Sequence, residues 1–140
     1  MRLRDLIQES LARRGEQRIR EADKVAYRRQ PNEVVWRGES TAAGRCPTCP
    51  RVFLADTLGL PFKRGQMTQQ ASKGKGNHYL VTTPQEEGYQ VFLPEFGQRP
   101  KIVRCARGPQ AVRGAMAAYD DAGSFTRARE TRGGTGEYYR

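Results

Sequence analysis

The stretch that decides the fold is HYLVTTPQEEGYQVFL, residues 78–93. Two runs rich in β-branched and aromatic residues, 78–83 and 89–93, flank the turn-forming segment PQEEG. This pattern predicts an antiparallel β-hairpin. A further apolar run from Lys101 to Cys105 predicts a third strand.

A long polar helix is predicted at the N-terminus, over residues 2–29. Its apolar residues form one intermittent stripe with Arg and Glu around the rest of the surface. The stripe consists of Leu3, Ile7, Leu11, Ile19, Ala22 and Ala26. Pro31 ends the helix, and we expect a break or bend at Gly15. Because the apolar face is narrow, such a helix is stable mainly when it docks on something else.

Two shorter helices are predicted from their end signals. Pro50 suits the first helical position, Cys49 lies near the N-cap, and Gly59 suits the C-terminal cap. A second helix begins at Pro109, runs through Ala118 and stops at Gly123. Both are short elements beside the predicted strands.

The remaining segments complete the predicted architecture. Residues 34–36, Val-Val-Trp, favour an edge strand, and the polar, glycine-bearing segment 63–77 favours an exposed loop. The fold class is therefore α+β, with an extended N-terminal helix, a small antiparallel sheet containing a β-hairpin, and one or two short helices. We divide the chain into an N-terminal helical arm (1–30), a small α+β domain (31–125) and a C-terminal tail (126–140).

Length and composition favour a dependent subunit over an elaborate enzyme. The chain has 140 residues, a formal charge of +10 and only 24 residues of Leu, Ile, Val or Phe. That is little apolar surface to offset the conformational entropy lost on folding. We expect neighbouring protein subunits to order the polar helix and the tails.

Targeting signals are not evident in the sequence. The basic start MRLRDL is not followed by the apolar core of a signal peptide, and no run approaches the roughly 20 apolar residues that span a bilayer. Three cysteines do not make a disulfide framework. We therefore expect no membrane insertion, no standard secretion, and a location in the cytoplasm or within a viral particle.

The positive charge is concentrated in residues 37–77, where seven basic residues accompany two acidic ones. Basic residues of this kind can follow the phosphate backbone of DNA or RNA without reading bases. A solvated, arginine-rich surface is the alternative interpretation. The candidate nucleic-acid-binding residues are Arg37, Arg45, Arg51, Lys63, Arg64, Lys73 and Lys75.

The pair Cys46-Pro-Thr-Cys49 suggests a zinc hypothesis. Two thiolates separated by two residues can chelate one tetrahedral zinc ion, and His78 with Cys105 would complete a four-ligand set. A single CxxC pair is a weak signal, so two alternatives stay open: small, partly buried cysteines without a metal, and a redox role. No cofactor is expected beyond this zinc ion.

A small basic nuclease or toxin is the enzymatic alternative. Metal-free ribonucleases combine a general base or acid with cations that stabilise the reacting phosphate. His78 with Lys73 and Lys75 supplies these residue types. A lone histidine at the start of a strand is more often structural, and no other catalytic motif is present.

The leading hypothesis is a non-enzymatic structural subunit of a large assembly, such as a viral particle or a nucleoprotein complex. Its helix would dock on neighbouring subunits and its basic middle segment would contact nucleic acid. A zinc-stabilised nucleic-acid-binding regulator and the nuclease are the two alternatives.

Overall fold

An antiparallel sheet forms the middle layer of the fold. The computed structural model of the chain describes residues 2–39, 49–71, 78–94 and 99–122. The strands are β1 (Glu33–Arg37), β2 (Thr68–Ala71), β3 (His78–Thr82), β4 (Glu87–Phe92) and β5 (Lys101–Arg107), and the helices are α1 (Leu3–Arg29), α2 (Pro50–Leu58) and α3 (Pro109–Ala122). The sheet order is β1-β5-β4-β3-β2. The predicted α+β class, with a long N-terminal helix, a small antiparallel sheet and two shorter helices, is confirmed.

The hairpin predicted over residues 78–93 is the antiparallel β3–β4 pair. At its turn the N–H of Thr83 donates to the carbonyl of Glu87 at 2.9 Å, and the N–H of Glu87 donates to Thr83 Oγ1 at 3.3 Å. Glu86 adopts a φ of 57°, in the left-handed region that tight turns use. Its carbonyl accepts the N–H of Gly108 at 2.8 Å, which ties the turn to the start of α3.

Helices cover both faces of the sheet because successive strand residues point to opposite sides. On one face, Leu80 and Val103 pack in a cluster with α3 and with Tyr27 of α1. On the other face, Val81 and Ile102 pack in a second cluster under α2. The core is therefore split into two halves by the sheet.

The edge strand β1 contributes to both halves. It pairs with β5, and the register shifts between Val34 and Trp36, which marks a β-bulge. Val34 packs against the α3-side cluster, whereas Val35 and Trp36 pack against the α2-side cluster. Phe53 of α2 meets the Trp36 ring edge-on at a centroid distance of 5.3 Å. The predicted edge strand at 34–36 is confirmed.

The second half of α1 packs against α3 through a close approach of the two backbones. A Cβ atom on Gly114 would lie 1.9 Å from the carbonyl oxygen of Asp23 and 2.9 Å from Cβ of Tyr27. Glycine is required here because its missing side chain lets the helices touch. The two helices run antiparallel, since Tyr27 lies beside Gly114 whereas Arg20 lies beside Ala117 and Asp121.

Ion pairs close the sides of this helix pair. Arg20 and Lys24 of α1 both contact the carboxylate of Asp121, and Arg113 of α3 contacts Asp23 at 3.2 Å. The hydrogen bond from Arg20, followed by that from Lys24, holds the pKa of Asp121 below its usual range. These pairs are partly exposed, so each contributes about 0–1 kcal/mol and mainly fixes the alignment of the helices.

The break predicted in α1 at Gly15 does not occur, since the helix is continuous from Leu3 to Arg29. Helix α2 has the predicted signals, with Pro50 in the first turn and Gly59 as a left-handed C-cap of φ 65°. The prediction of a loop over residues 63–77 is wrong in part, because Thr68–Ala71 pairs with β3 as an edge strand. The proposed C-terminal tail, 126–140, lies outside the described residues.

Candidate interaction surfaces

The first 17 residues of α1 form an exposed arm, residues 3–19, here called the α1 arm. Residues 2–14 and 16–19 are all exposed, and Gly15 is half-buried. In the described part of the chain, every large apolar side chain that is strongly exposed lies on this arm. These are Leu3 (72%), Leu6 (49%), Ile7 (52%), Leu11 (58%) and Ile19 (63%). Exposed apolar residues that cluster in this way make the arm a candidate binding surface.

Four of these side chains form one face. Successive helix residues are about 100° apart, so positions i, i+3, i+4 and i+8 share a side. The apolar face of the arm consists of Leu3, Leu6, Ile7 and Leu11. Ile19 lies about 80° around the helix from Leu11 but about 120° from Ile7 and about 160° from Leu3, so it falls beyond the edge of this face. The apolar stripe predicted from the sequence included Ile19 and omitted Leu6. The i, i+3 spacing of Leu3 and Leu6 already indicated that these two residues share one side of the helix.

Charge is distributed asymmetrically around the arm. At about 100° per residue, Asp5, Glu9 and Glu16 fall on the side opposite the apolar face. Arg14 and Arg18 fall on the same side as the apolar face, one and two turns beyond Leu11. Arg13 is paired with Glu9 at 3.4 Å, whereas within the described residues no ion pair involves Arg14 or Arg18.

A groove of about 380 Å³ lies where the arm meets α3. Its wall includes Ile19, Ala117 and the Asp23–Arg113 ion pair. The groove is open, and three of its four charged lining residues, Arg20, Asp23 and Arg113, are in ion pairs between the two helices, whereas Glu16 is exposed at its edge. We therefore interpret the groove as part of the contact between α1 and α3 and not as a ligand-binding site.

The predicted nucleic-acid-binding residues are distributed over two regions. Arg51 lies in the first turn of α2 and donates from Nη1 to the carbonyl of Met67 at 3.3 Å, which places it beside the short 3-10 turn Arg64–Gln66. Lys63 and Arg64 are exposed at that turn. Arg37 is exposed at the end of β1, on the other edge of the sheet. Arg45, Lys73 and Lys75 lie outside the described residues.

One end of the sheet carries two buried polar side chains, those of Lys101 and His78. Arg37 pairs with Lys101, Lys101 with Phe92, and Phe92 with His78 across four neighbouring strands. Lys101 and His78 are 1% and 3% exposed.

His78, the histidine of the nuclease hypothesis, is buried and stacks on Phe92, with ring centroids 4.2 Å apart and planes 20° apart. Aromatic stacking of this kind fixes the imidazole within the strand. Lys73 and Lys75 lie outside the described residues, so the three-residue catalytic arrangement stays a prediction.

The structure does not bring together the zinc candidates that it describes. Cys105 is fully buried in the cluster on the α3 side of the sheet. Cys49 precedes α2, which packs on the opposite side. Among the described residues no group of three or more His, Cys, Asp or Glu side chains is positioned to hold a metal ion. Cys46 lies outside them, so the CxxC part of the zinc hypothesis stays a prediction.

Cys49 has an environment that favours its thiolate. Burial raises the pKa of the Cys49 thiol, but the backbone N–H groups of Arg51 and Val52 and the Arg51 guanidinium outweigh this effect. The net pKa lies below the ordinary value. The thiol lies 3.7 Å from Oε1 of Gln69 on β2, at the limit of a weak S–H hydrogen bond.

A second ion-pair network lies at the end of the sheet opposite Lys101 and His78. Arg104 contacts Glu33 at 2.6 Å and Glu87 at 3.2 Å, and Arg107 contacts Glu33 at 2.5 Å. The hydrogen bond from Arg104 lowers the pKa of Glu33, while burial raises the pKa of the neighbouring Tyr89. The charges in this network balance across β1, β4 and β5, which indicates a structural role.

No protein-family model, curated protein or solved structure matches this chain. Among the described helices, none combines the length and the apolar character needed to cross a membrane. The interaction surfaces described above are therefore the basis for a functional proposal.

Proposed function

We propose that the chain is a non-enzymatic structural subunit of a larger assembly, such as a viral particle or a nucleoprotein complex, and that the α1 arm joins it to a neighbouring protein. The observation that carries this proposal is the apolar face of the arm, whose four side chains are 49–72% exposed. A soluble chain with so few aliphatic residues gains nothing from leaving four of them in water. Burying each in a partner would contribute about 1–2 kcal/mol.

The form of the arm supports docking as a helix. Leu3, Leu6, Ile7 and Leu11 have the spacing with which an amphipathic helix fills an apolar groove. Elsewhere in the described residues the apolar side chains are packed, because α1 beyond residue 19 is held by α3 and both sheet faces are covered. Among the described elements, the arm is thus the one with an unused apolar surface.

Site-specific photo-crosslinking in the source cells tests the proposal. Benzoylphenylalanine replaces Ile7 or Leu11 on the apolar face, and Asp5 or Glu9 on the opposite face serves as the matched control. We expect one common protein adduct from positions 7 and 11 and little from positions 5 and 9. Equal adducts at all four positions, or none at any, would show that the face does not dock.

Contact with nucleic acid is a second candidate function, and the pattern of ion pairing favours it. In the described residues, Arg13, Arg20, Lys24, Arg104, Arg107 and Arg113 are paired with acids. Within the same part of the chain, Arg37, Arg51, Lys63 and Arg64 are in no ion pair, a property they share with Arg14 and Arg18 of the arm, and Arg51 also donates to the carbonyl of Met67. Unpaired cations are free to contact phosphates.

Anisotropy of labelled DNA and RNA over roughly 50–300 mM salt tests this second function. Lys63→Gln with Arg64→Gln should reduce the log–log salt slope by about one for each phosphate that the replaced side chain had neutralised, without a change in sequence preference. Absence of binding at the lowest salt would exclude nucleic acid as a partner.

A further inference from the structure

The apolar face of the α1 arm continues into a basic surface, and this combination specifies the chemistry of its partner. Arg14 and Arg18 follow Leu11 along the same side of the helix, and both are exposed. The acidic residues of the arm lie on the other side. An apolar segment that ends in two arginines is complementary to an apolar groove that ends in carboxylates.

Within the described residues neither Arg14 nor Arg18 is in an ion pair, and Glu21, the acidic residue three positions after Arg18, pairs with Lys24 instead. The two arginines are four positions apart, and like charges at this spacing destabilise a helix by a few tenths of a kcal/mol. Arg14 has no acidic residue three or four positions away, since these positions are Ser10, Leu11, Gln17 and Arg18. Arg13, by contrast, has Glu9 at i−4 and pairs with it.

Resting on the proposed docking function, we infer that the α1 arm binds an apolar groove with an acidic rim on a partner protein. Leu3, Leu6, Ile7 and Leu11 fill the groove, while Arg14 and Arg18 contact carboxylates at its rim. Pairs of this type at the edge of an interface set the association rate, the salt dependence and the choice of partner.

Occupants supplied by this chain itself do not offer carboxylates to the two arginines. A second copy paired in parallel would place Arg14 and Arg18 against themselves. An antiparallel pair centred on Ile7 would place Arg14 beside the positive N-terminal end of the other helix. The C-terminal residues 123–140 contain four arginines and two glutamates, so they do not supply an acidic rim.

Two synthetic helical hairpins provide defined probes. Both present a groove of leucines between two helices, one with glutamate along both rims and the other with lysine. Binding of the labelled hairpins to the full chain is measured by fluorescence anisotropy. We expect the glutamate hairpin to bind at least about tenfold more tightly, and this preference to shrink as salt rises.

Variants of the chain separate the charges from the apolar face. Arg14→Glu with Arg18→Glu should reverse the preference between the hairpins. Arg28→Glu with Arg29→Glu, an exposed pair in the last turn of α1, makes the same change in net charge and should leave the preference unchanged. Ile7→Asp should weaken binding to both hairpins.

The outcomes distinguish this inference from the proposed function. Equal affinity for the two hairpins, or binding to neither, would overturn the acidic rim, while face-specific crosslinks at positions 7 and 11 would still support docking. A crosslinked adduct of twice the chain mass would identify a second copy and overturn the inference. If crosslinks also fail, the docking proposal itself is wrong.

Discussion

Gly114→Ala should destabilise the protein, because the new methyl group meets backbone that cannot rotate away. The added Cβ would lie 1.9 Å from the carbonyl oxygen of Asp23, whereas ordinary contacts begin near 3.4 Å. Helix α1 must therefore retreat by about 1.5 Å, which also loosens the fully buried Tyr27. Overpacking of this kind costs about 1–3 kcal/mol, and the backbone contact places this site at the upper end.

The higher helix propensity of alanine offsets part of this loss of stability, and Gly15→Ala serves as the control for that gain. Alanine in place of glycine within a helix gains about 1 kcal/mol, so the net loss for Gly114→Ala is about 1–2 kcal/mol. Gly15→Ala in the α1 arm has the same propensity gain and no atom within 4 Å, so it should not destabilise the protein.

Urea unfolding followed by circular dichroism measures both variants, and a thermal melt should show the Gly114→Ala midpoint lower by roughly 3–10 °C. A Gly114→Ala protein as stable as the wild type would refute the close approach of α1 and α3.

Three further perturbations test other parts of the structure. Leu54→Ala leaves a cavity where the fully buried side chain of α2 packs on the sheet, and it should lower the free energy of unfolding in urea by about 2–5 kcal/mol. A decrease below about 1 kcal/mol would contradict that packing. Asp121→Asn should cost about 0.5–1 kcal/mol at pH 7, because a carboxylate with a lowered pKa stabilises the fold above about pH 4. That contribution is lost as the pH falls through the folded-state pKa, so the difference between variant and wild type should shrink in melts below about pH 4 and disappear once the pH lies below that folded-state pKa. In a Cys46→Ser background, iodoacetamide should label Cys49 faster at pH 7 than an ordinary thiol and leave Cys105 unlabelled until the protein unfolds.

Much of the fold could be predicted because local signals and burial agreed. The β-branched and aromatic runs of 78–93 predicted β3 and β4, and Pro50 with Gly59 marked both ends of α2. Pro109 likewise marked the start of α3. In each case the residues that favour the element also pack in the core, so the pattern and the tertiary structure gave the same answer.

Two features could not be predicted, for different physical reasons. The sequence TQQA of β2 has no apolar alternation, because an edge strand is held largely by its backbone pairing to β3. Gly15 does not break α1, since the cost of about 1 kcal/mol for one glycine is too small to interrupt a continuous helix.

The candidate site was predicted only in outline. The narrow stripe on residues 2–29 suggested an interaction surface, but the packing of Tyr27 beside Gly114 decides which part of the helix is occupied. That division depends on long-range packing, which no spacing rule encodes. The burial of Lys101 and His78 also depends on long-range packing and was not predicted. Polar residues of these types are usually exposed.

The unequal lengths of α1 and α3 have a mechanical consequence. The part of α1 that is held by α3 begins near Arg20. Leu3 lies 17 residues before it, roughly 25 Å away along the helix axis. A tilt of about 5° at the α3 contact would therefore move the tip by roughly 2 Å. A small change at the contact formed by Gly114 and Asp121 would therefore be amplified into a larger displacement of the tip of the α1 arm.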